Sequence, residues 1–99
     1  MSEIYNGPIS ASFAPPANYI YYVQNYSYQF VWTDGVNGIV RLEATIGGKW
    51  APIPGTSQST QGVAGSHLIN VNGANYMQVK PVFEHVSGSG SLEIHYYYK

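Results

Sequence analysis

In YSYQFVWTDGVNG, Tyr26 to Gly38, large rings recur at every second residue: Tyr26, Tyr28, Phe30 and Trp32, with Ser27, Gln29, Val31 and Thr33 between them. Side chains of an extended strand alternate between faces, so one face carries all these rings and must be buried. A ring covers about 150–250 Å², at roughly 25 cal/mol per Å² removed from water, and no other stretch offers a core as much. Asp34-Gly35 and Asn37-Gly38 follow at once and supply the positive-φ positions of a tight hairpin. The chain is therefore expected to turn straight back into the next strand.

Toward the N-terminus, Ile20, Tyr22 and Gln24 keep the phase of the rings, which predicts one long strand over residues 19–33, bulged near Asn25. Its odd face, with Tyr19, Tyr21, Val23 and Val31, is partly apolar and needs a cover too. Residues 1–17 alternate weakly at Ile9, Ala11 and Phe13, between Pro8 and Pro15-Pro16. Proline removes ladder donors and restricts the residue before it, so this segment is expected as an N-terminal edge strand or an extended arm that packs on a neighbour. Residues 18–99 then form a single β-sandwich domain.

Toward the C-terminus, Val40, Leu42, Ala44 and Ile46 alternate with Arg41, Glu43 and Thr45, a half-buried strand with one wet face. Gly47-Gly48 leads into a short strand, Lys49 to Ile53, with Trp50 as its core residue and Pro52 and Pro54 at its end. GTSQSTQGVAGS, Gly55 to Ser66, is small and polar and reads as a long surface loop. His67 to Val71 is a short strand. Tyr76 to Val86 is a longer one with Met77, Val79 and Phe83 on its apolar face, and Pro81 inside it argues for an edge position or a bulge. SGSGS, Ser87 to Ser91, turns into a last strand in which Leu92, Ile94, Tyr96 and Tyr98 oppose Glu93, His95 and Tyr97. Seven to eight short strands punctuated by Gly, Pro and Asn, with no helical periodicity, predict an all-β fold: an antiparallel β-sandwich or jelly-roll.

A chain of 99 residues has room for one core. Charged residues make up only 9% of it, against about 25% in an average domain, while ten tyrosines help bring the aromatic share to 15%. A monomer so poor in charge is weakly protected against association, which suggests that other copies or a larger assembly cover part of the surface. The net charge of −1 gives no pull toward nucleic acid or anionic lipid. No apolar run approaches the ~18 residues of a membrane span, and without cysteine there are no disulfides or thiolate metal sites. Met1-Ser2-Glu3 lacks the basic start of a signal peptide, so the expected setting is a cytoplasm or something assembled there.

Catalysis has little to work with. Asp34 lies in a turn, and Glu43, Glu84 and Glu93 alternate with apolar neighbours as solvent-facing strand residues do. His67, His85 and His95 match no metal-ligand spacing, although His85 and His95 would face each other across a hairpin at SGSGS. Gly88-Ser89-Gly90 lacks the third glycine and the helix of a phosphate loop, and Asn25-Tyr26-Ser27 is a glycosylation sequon inside a strand. No catalytic, cofactor-binding or metal-binding residue is assigned, and no cofactor is expected. The tyrosines carry more weight, because Tyr19 to Tyr22 and Tyr96 to Tyr98 put rings on both faces of their strands. Three readings are open: a subunit contact through Tyr19, Tyr21, Tyr97 and, from the arm, Phe13; a platform on which a glycan stacks against Trp50 and Tyr97; or a tyrosine-rich sheet facing solvent.

The run VQNYSYQFVWTDGVNGIVRLEATIGGKWAPIPGT, with NVNGANYMQVKPVF and SGSGSLEIHYYYK after it, resembles the small β-rich virion proteins of tailed bacteriophages. The shared features are an aromatic strand ending in Trp32-Thr33, a turn with Gly35 and Gly38, the segment Trp50 to Pro54, and the turn Ser87 to Ser91 that launches the closing strand. The likeness runs from about Val23 to Lys99 and lies in turn and core positions; residues 1–22 fall outside it. It implies a non-enzymatic structural subunit of a phage particle, either capsid decoration or a neck or tail accessory. Its partners would be other copies of itself and a major capsid or tail protein. A carbohydrate-binding module serving adhesion is the alternative, and no site residue is carried over.

Overall fold

The computed structural model describes residues 2–20 and 23–98. Tyr21, an expected interface residue, and Tyr22 lie outside the described residues. The strands are β1 Ser2–Ile9, β2 Asn18–Tyr19, β3 Tyr26–Trp32, β4 Asn37–Thr45, β5 Ala51–Pro52, β6 Gln58–Ser59, β7 Gly65–Val71, β8 Gln78–Ser87 and β9 Gly90–Tyr98, and the described residues contain no helix. A first antiparallel sheet has the order β1-β9-β3-β7; a second has the order β2-β8-β4-β5, with β6 also on β4. The all-β sandwich expected from the strand pattern is the fold observed.

β3 is its centre. Tyr26, Tyr28, Phe30 and Trp32 are all buried, alternating with half-buried neighbours. The other wall of the core comes from Val40, Leu42 and Ala44 on β4 and from Val79 and Phe83 on β8. In the first sheet, Tyr28 lies between Tyr96 and Ile69, and Phe30 between Ile94 and His67. With both edges of β3 occupied, the chain after Trp32 has no place beside it. The expected hairpin at Asp34 to Gly38 is therefore a corner that carries the chain across to the second sheet. Gly35 supplies the positive φ of 93° there, and the buried Val36 plugs that end of the sandwich. The segment after β8 makes the opposite crossing, so His85 and His95 lie in different sheets and do not pair.

The predicted long strand over 19–33 is not formed. Asn18–Tyr19 pairs with β8 in the second sheet, whereas pairing in the first begins at Tyr26. Alternation reports which residues point inward, and the inside of a sandwich is common to both sheets. β1 runs along β9 as the edge of the first sheet, with a register shift between Glu3 and Tyr5. Reciprocal backbone bonds between Phe13 and Phe83 (2.9 and 2.8 Å) then tie the following segment to β8. Pro81 follows from this arrangement. Phe83 turns its backbone groups toward Phe13, and Pro81, two residues earlier, faces the same way into the gap between that bridge and β2. A missing N–H costs no ladder bond there.

Gly55 to Ser66 is not a plain surface loop, because Thr56 and Thr60 are buried and bonded to β4. Leu42 donates its N–H to Thr56 Oγ1 (3.2 Å), and Gly38 donates its N–H to Thr60 Oγ1 (3.0 Å). Ile53 and Thr60 return their own N–H groups to Leu42 O (2.9 Å) and Gly38 O (3.0 Å). Two hydroxyls thus do for the edge of β4 what the carbonyls of a full strand would do. Two further expectations are corrected. Trp50 is half-buried and outside the core, with the Lys80 ammonium 4.4 Å from its ring centroid. Ile46, one residue beyond β4, is exposed.

Candidate functional site

Strand register places one end of the sandwich at Tyr26, Val71 and Tyr98 in the first sheet and at Thr45, Gln78 and Tyr19 in the second. The connection from β7 to β8 closes this end. Gly73 donates its N–H to Asn25 Oδ1 (3.0 Å), Ala74 to Gln24 O (3.0 Å) and Met77 to Thr45 O (3.0 Å). Five large apolar side chains are exposed here: Tyr19 (66%), Ile46 (66%), Met77 (40%), Tyr97 (47%) and Tyr98 (57%). The other exposed ones are Val63 and Val86, toward the opposite end, and Leu68 on β7.

A ladder of rings joins this surface to the core. Tyr28 and Tyr96 have centroids 4.8 Å apart, Tyr26 and Tyr96 6.4 Å, and Tyr96 and Tyr98 5.6 Å. These are tilted contacts of the kind aromatic quadrupoles favour. The Tyr28 hydroxyl accepts a bond from Asn18 Nδ2 (2.6 Å), which links the two sheets. The Tyr26 hydroxyl is buried without a hydrogen-bond partner among the described residues. Burial raises the ionisation of both phenols above the ordinary range; neighbouring tyrosines add to this for both, and the Asn18 bond opposes it for Tyr28.

The residues singled out in the sequence are dispersed. Tyr19 and Tyr97 belong to the tyrosine-bearing end, whereas Phe13 packs on Tyr5 with centroids 4.4 Å apart. Trp50 stands beside Lys80 of the second sheet and Tyr97 lies on the first, so these two rings belong to different sheets. The histidines do not converge. His67 Nε2 is bonded to Thr56 O (3.0 Å), His85 Nε2 to Gly88 O (2.8 Å), and His95 Nε2 lies 4.0 Å from Glu93 Oε2. Glu3, across the β1–β9 ladder, completes a surface group with His95 and Glu93 whose nitrogen and oxygen atoms lie within 4.8 Å of one another.

On the second sheet, Arg41 bridges Glu43 (2.9 Å) and Glu84 (2.8 Å) beside a cleft of about 380 Å³ that Ser12, Phe13 and Val82 help to line. Both of its carboxylate contacts are within the chain, which leaves that guanidinium paired. Sequence reasoning missed Ile46, Met77 and Tyr98 as surface residues because each continues the phase of an apolar row. Each stands at or beyond the end of its ladder, where no opposing sheet covers it. No protein-family model matches the chain, and no curated protein matches its sequence.

Proposed function

We propose that this chain is a non-enzymatic structural subunit of a bacteriophage particle, a capsid-decorating or stabilising protein that joins other copies and a major capsid or tail protein through its tyrosine-bearing end. The observation that carries the reading is the gathering of Tyr19, Ile46, Met77, Tyr97 and Tyr98 at one end of the sandwich. Exposed apolar side chains scattered singly are ordinary, whereas five at one end of so small a domain suit a contact surface. Tyrosine suits such a surface because it buries area with few rotatable bonds and keeps a polar tip. The scarcity of charge, 9% of residues, removes the usual barrier to close association. The resemblance in the turn and core motifs supplies the phage setting.

Co-sedimentation with a purified major capsid or tail protein of a phage particle tests the reading. Saturable, stoichiometric binding is expected, and its loss in a Tyr19→Ser, Met77→Ser, Tyr98→Ser triple variant that keeps the wild-type circular dichroism. A wild-type protein that stays a lone monomer and binds no particle component would refute it. A glycan-binding role would instead require array binding that is lost in Tyr97→Ala or Trp50→Ala, two rings that belong to different sheets.

A further inference from the structure

The first sheet ends in two edges, and they differ in kind. β1 carries Glu3 and Pro8, and the Pro8 carbonyl is occupied by the Tyr5 hydroxyl (2.6 Å). Charge and proline are the common means of keeping a sheet edge from pairing with another chain. In the second sheet β2, β5 and β6 are two-residue pieces. β7, GSHLINV, is seven residues long with neither proline, lysine, arginine nor carboxylate.

The outward groups of β7 can be identified from the ladder. Thr33, next after β3, donates its N–H to Ser91 O (3.2 Å), so odd positions along this line turn their backbone groups toward β9. In an antiparallel ladder the two directions alternate strictly, and the β3–β7 and β3–β9 registers run without a shift. Even positions of β3 therefore bond to Gly65, His67, Ile69 and Val71. Ser66, Leu68 and Asn70 turn their N–H and C=O groups to the open side, where no backbone or side-chain partner meets them among the described residues.

We propose that β7 pairs antiparallel with β7 of a second copy about a two-fold axis at Leu68, joining two first sheets into one continuous sheet. In that register Leu68 faces Leu68 of the second copy and Ser66 faces its Asn70, and each such pair exchanges two N–H···O bonds. The pairing is self-complementary, as a two-fold contact must be, and sets no charge against a like charge. It covers Leu68, which is 62% exposed, by its own counterpart. The inward side chains of β7 need no new cover, since Ile69 is buried in its own core and His67 Nε2 is bonded to Thr56 O of its own chain (3.0 Å). The proposal shares with the function above its choice of a second copy as partner, and it uses the β7 edge, which meets the end surface only at the cleft between Leu68 and Tyr97.

Sedimentation equilibrium of the full chain tests it, together with Leu68→Lys and Leu68→Cys. Leu68→Lys changes an exposed side chain and places two ammonium groups face to face, so dimerisation should weaken by about tenfold or more with the circular dichroism of the folded chain unchanged. The natural chain has no cysteine, so oxidised Leu68→Cys should give a covalent dimer, which Val86→Cys on the other sheet should not. A wild type that sediments as a monomer throughout, with Leu68→Cys cross-linking no better than Val86→Cys, overturns the pairing. A dimer indifferent to Leu68→Lys but dissolved by the Tyr19, Met77, Tyr98 variant overturns it while leaving the end contact standing. A monomer whose binding to a particle protein is abolished by Leu68→Lys assigns the edge to that protein's strand, and also overturns the two-fold pairing.

Discussion

Replacing Thr60 by valine tests how the segment between β5 and β7 is held. Thr60 Oγ1 accepts the Gly38 N–H (3.0 Å) and donates to Val36 O, all within buried surroundings. Valine keeps the shape and removes the hydroxyl. Val36 O keeps a partner, since Gly62 also donates to it (3.1 Å), but the buried Gly38 N–H is left with none. An orphaned buried donor costs about 1–3 kcal/mol. The added methyl offsets part of that, at about 0.8 kcal/mol per buried carbon, so the net loss is about 0.2–2 kcal/mol. For a domain of this size the melting temperature should fall by roughly 1–16 °C. Urea unfolding followed by tryptophan fluorescence should show a lower midpoint at unchanged slope. Thr33→Val is the control: its exposed hydroxyl accepts the Ser91 N–H (2.9 Å), and water can replace it, so the loss should stay within about 0.5 kcal/mol. A Thr60→Val protein as stable as the wild type would refute the idea that a hydroxyl completes the edge of β4.

Alkaline pH should unfold the protein through its buried phenols. Tyr26 and Tyr28 ionise well above the ordinary value near 10, chiefly because they are buried, whereas the unfolded chain releases the same protons near 10. Their contribution is therefore intact below pH 10 and falls as the pH rises beyond it, by about 1.4 kcal/mol per pH unit for each phenol. Tyr28→Phe should remove one phenol's share of that slope in urea titrations, Tyr96 being raised by burial as well, and a flat profile above pH 10 would count against the burial. Gly38→Ala should cost about 1–3 kcal/mol by overpacking, because a Cβ there meets Glu84 O and the Phe83 ring; thermal melts read it directly. Trp50→Ala should lower stability by less than Phe30→Ala, for which about 3–5 kcal/mol is expected, since Trp50 lies outside the core and Phe30 is fully buried. Equal losses in denaturant unfolding would return Trp50 to the core.

Reading the strands from the sequence worked where one residue type at period two had a single physical meaning. The rings of Tyr26 to Trp32, and the rows Val40–Leu42–Ala44 and Leu92–Ile94, had to be inward because burial of apolar area is the same term whichever sheet holds the strand. Pro81 announced a backbone position that needs no donor, and Gly35 a positive φ. The tyrosine excess left rings over for the exterior, without saying which ones would stay exposed.

What only the tertiary structure decided is which sheet each strand joins and which ends of the rows stay uncovered. Asn18–Tyr19 and Tyr26–Trp32 share one phase yet sit in opposite sheets, because an interior between two sheets presents the same apolar demand from both sides. The tight turn at Asp34 to Gly38 became a crossing because β7 and β9, distant in sequence, already flank β3. Thr56 and Thr60 could be recognised as structural only beside the open edge of β4, and the gathering of Tyr19, Met77 and Tyr98 only once register had set the length of each ladder. Local pattern fixes which way a side chain points, whereas partners, edges and ends depend on contacts between residues far apart in the chain.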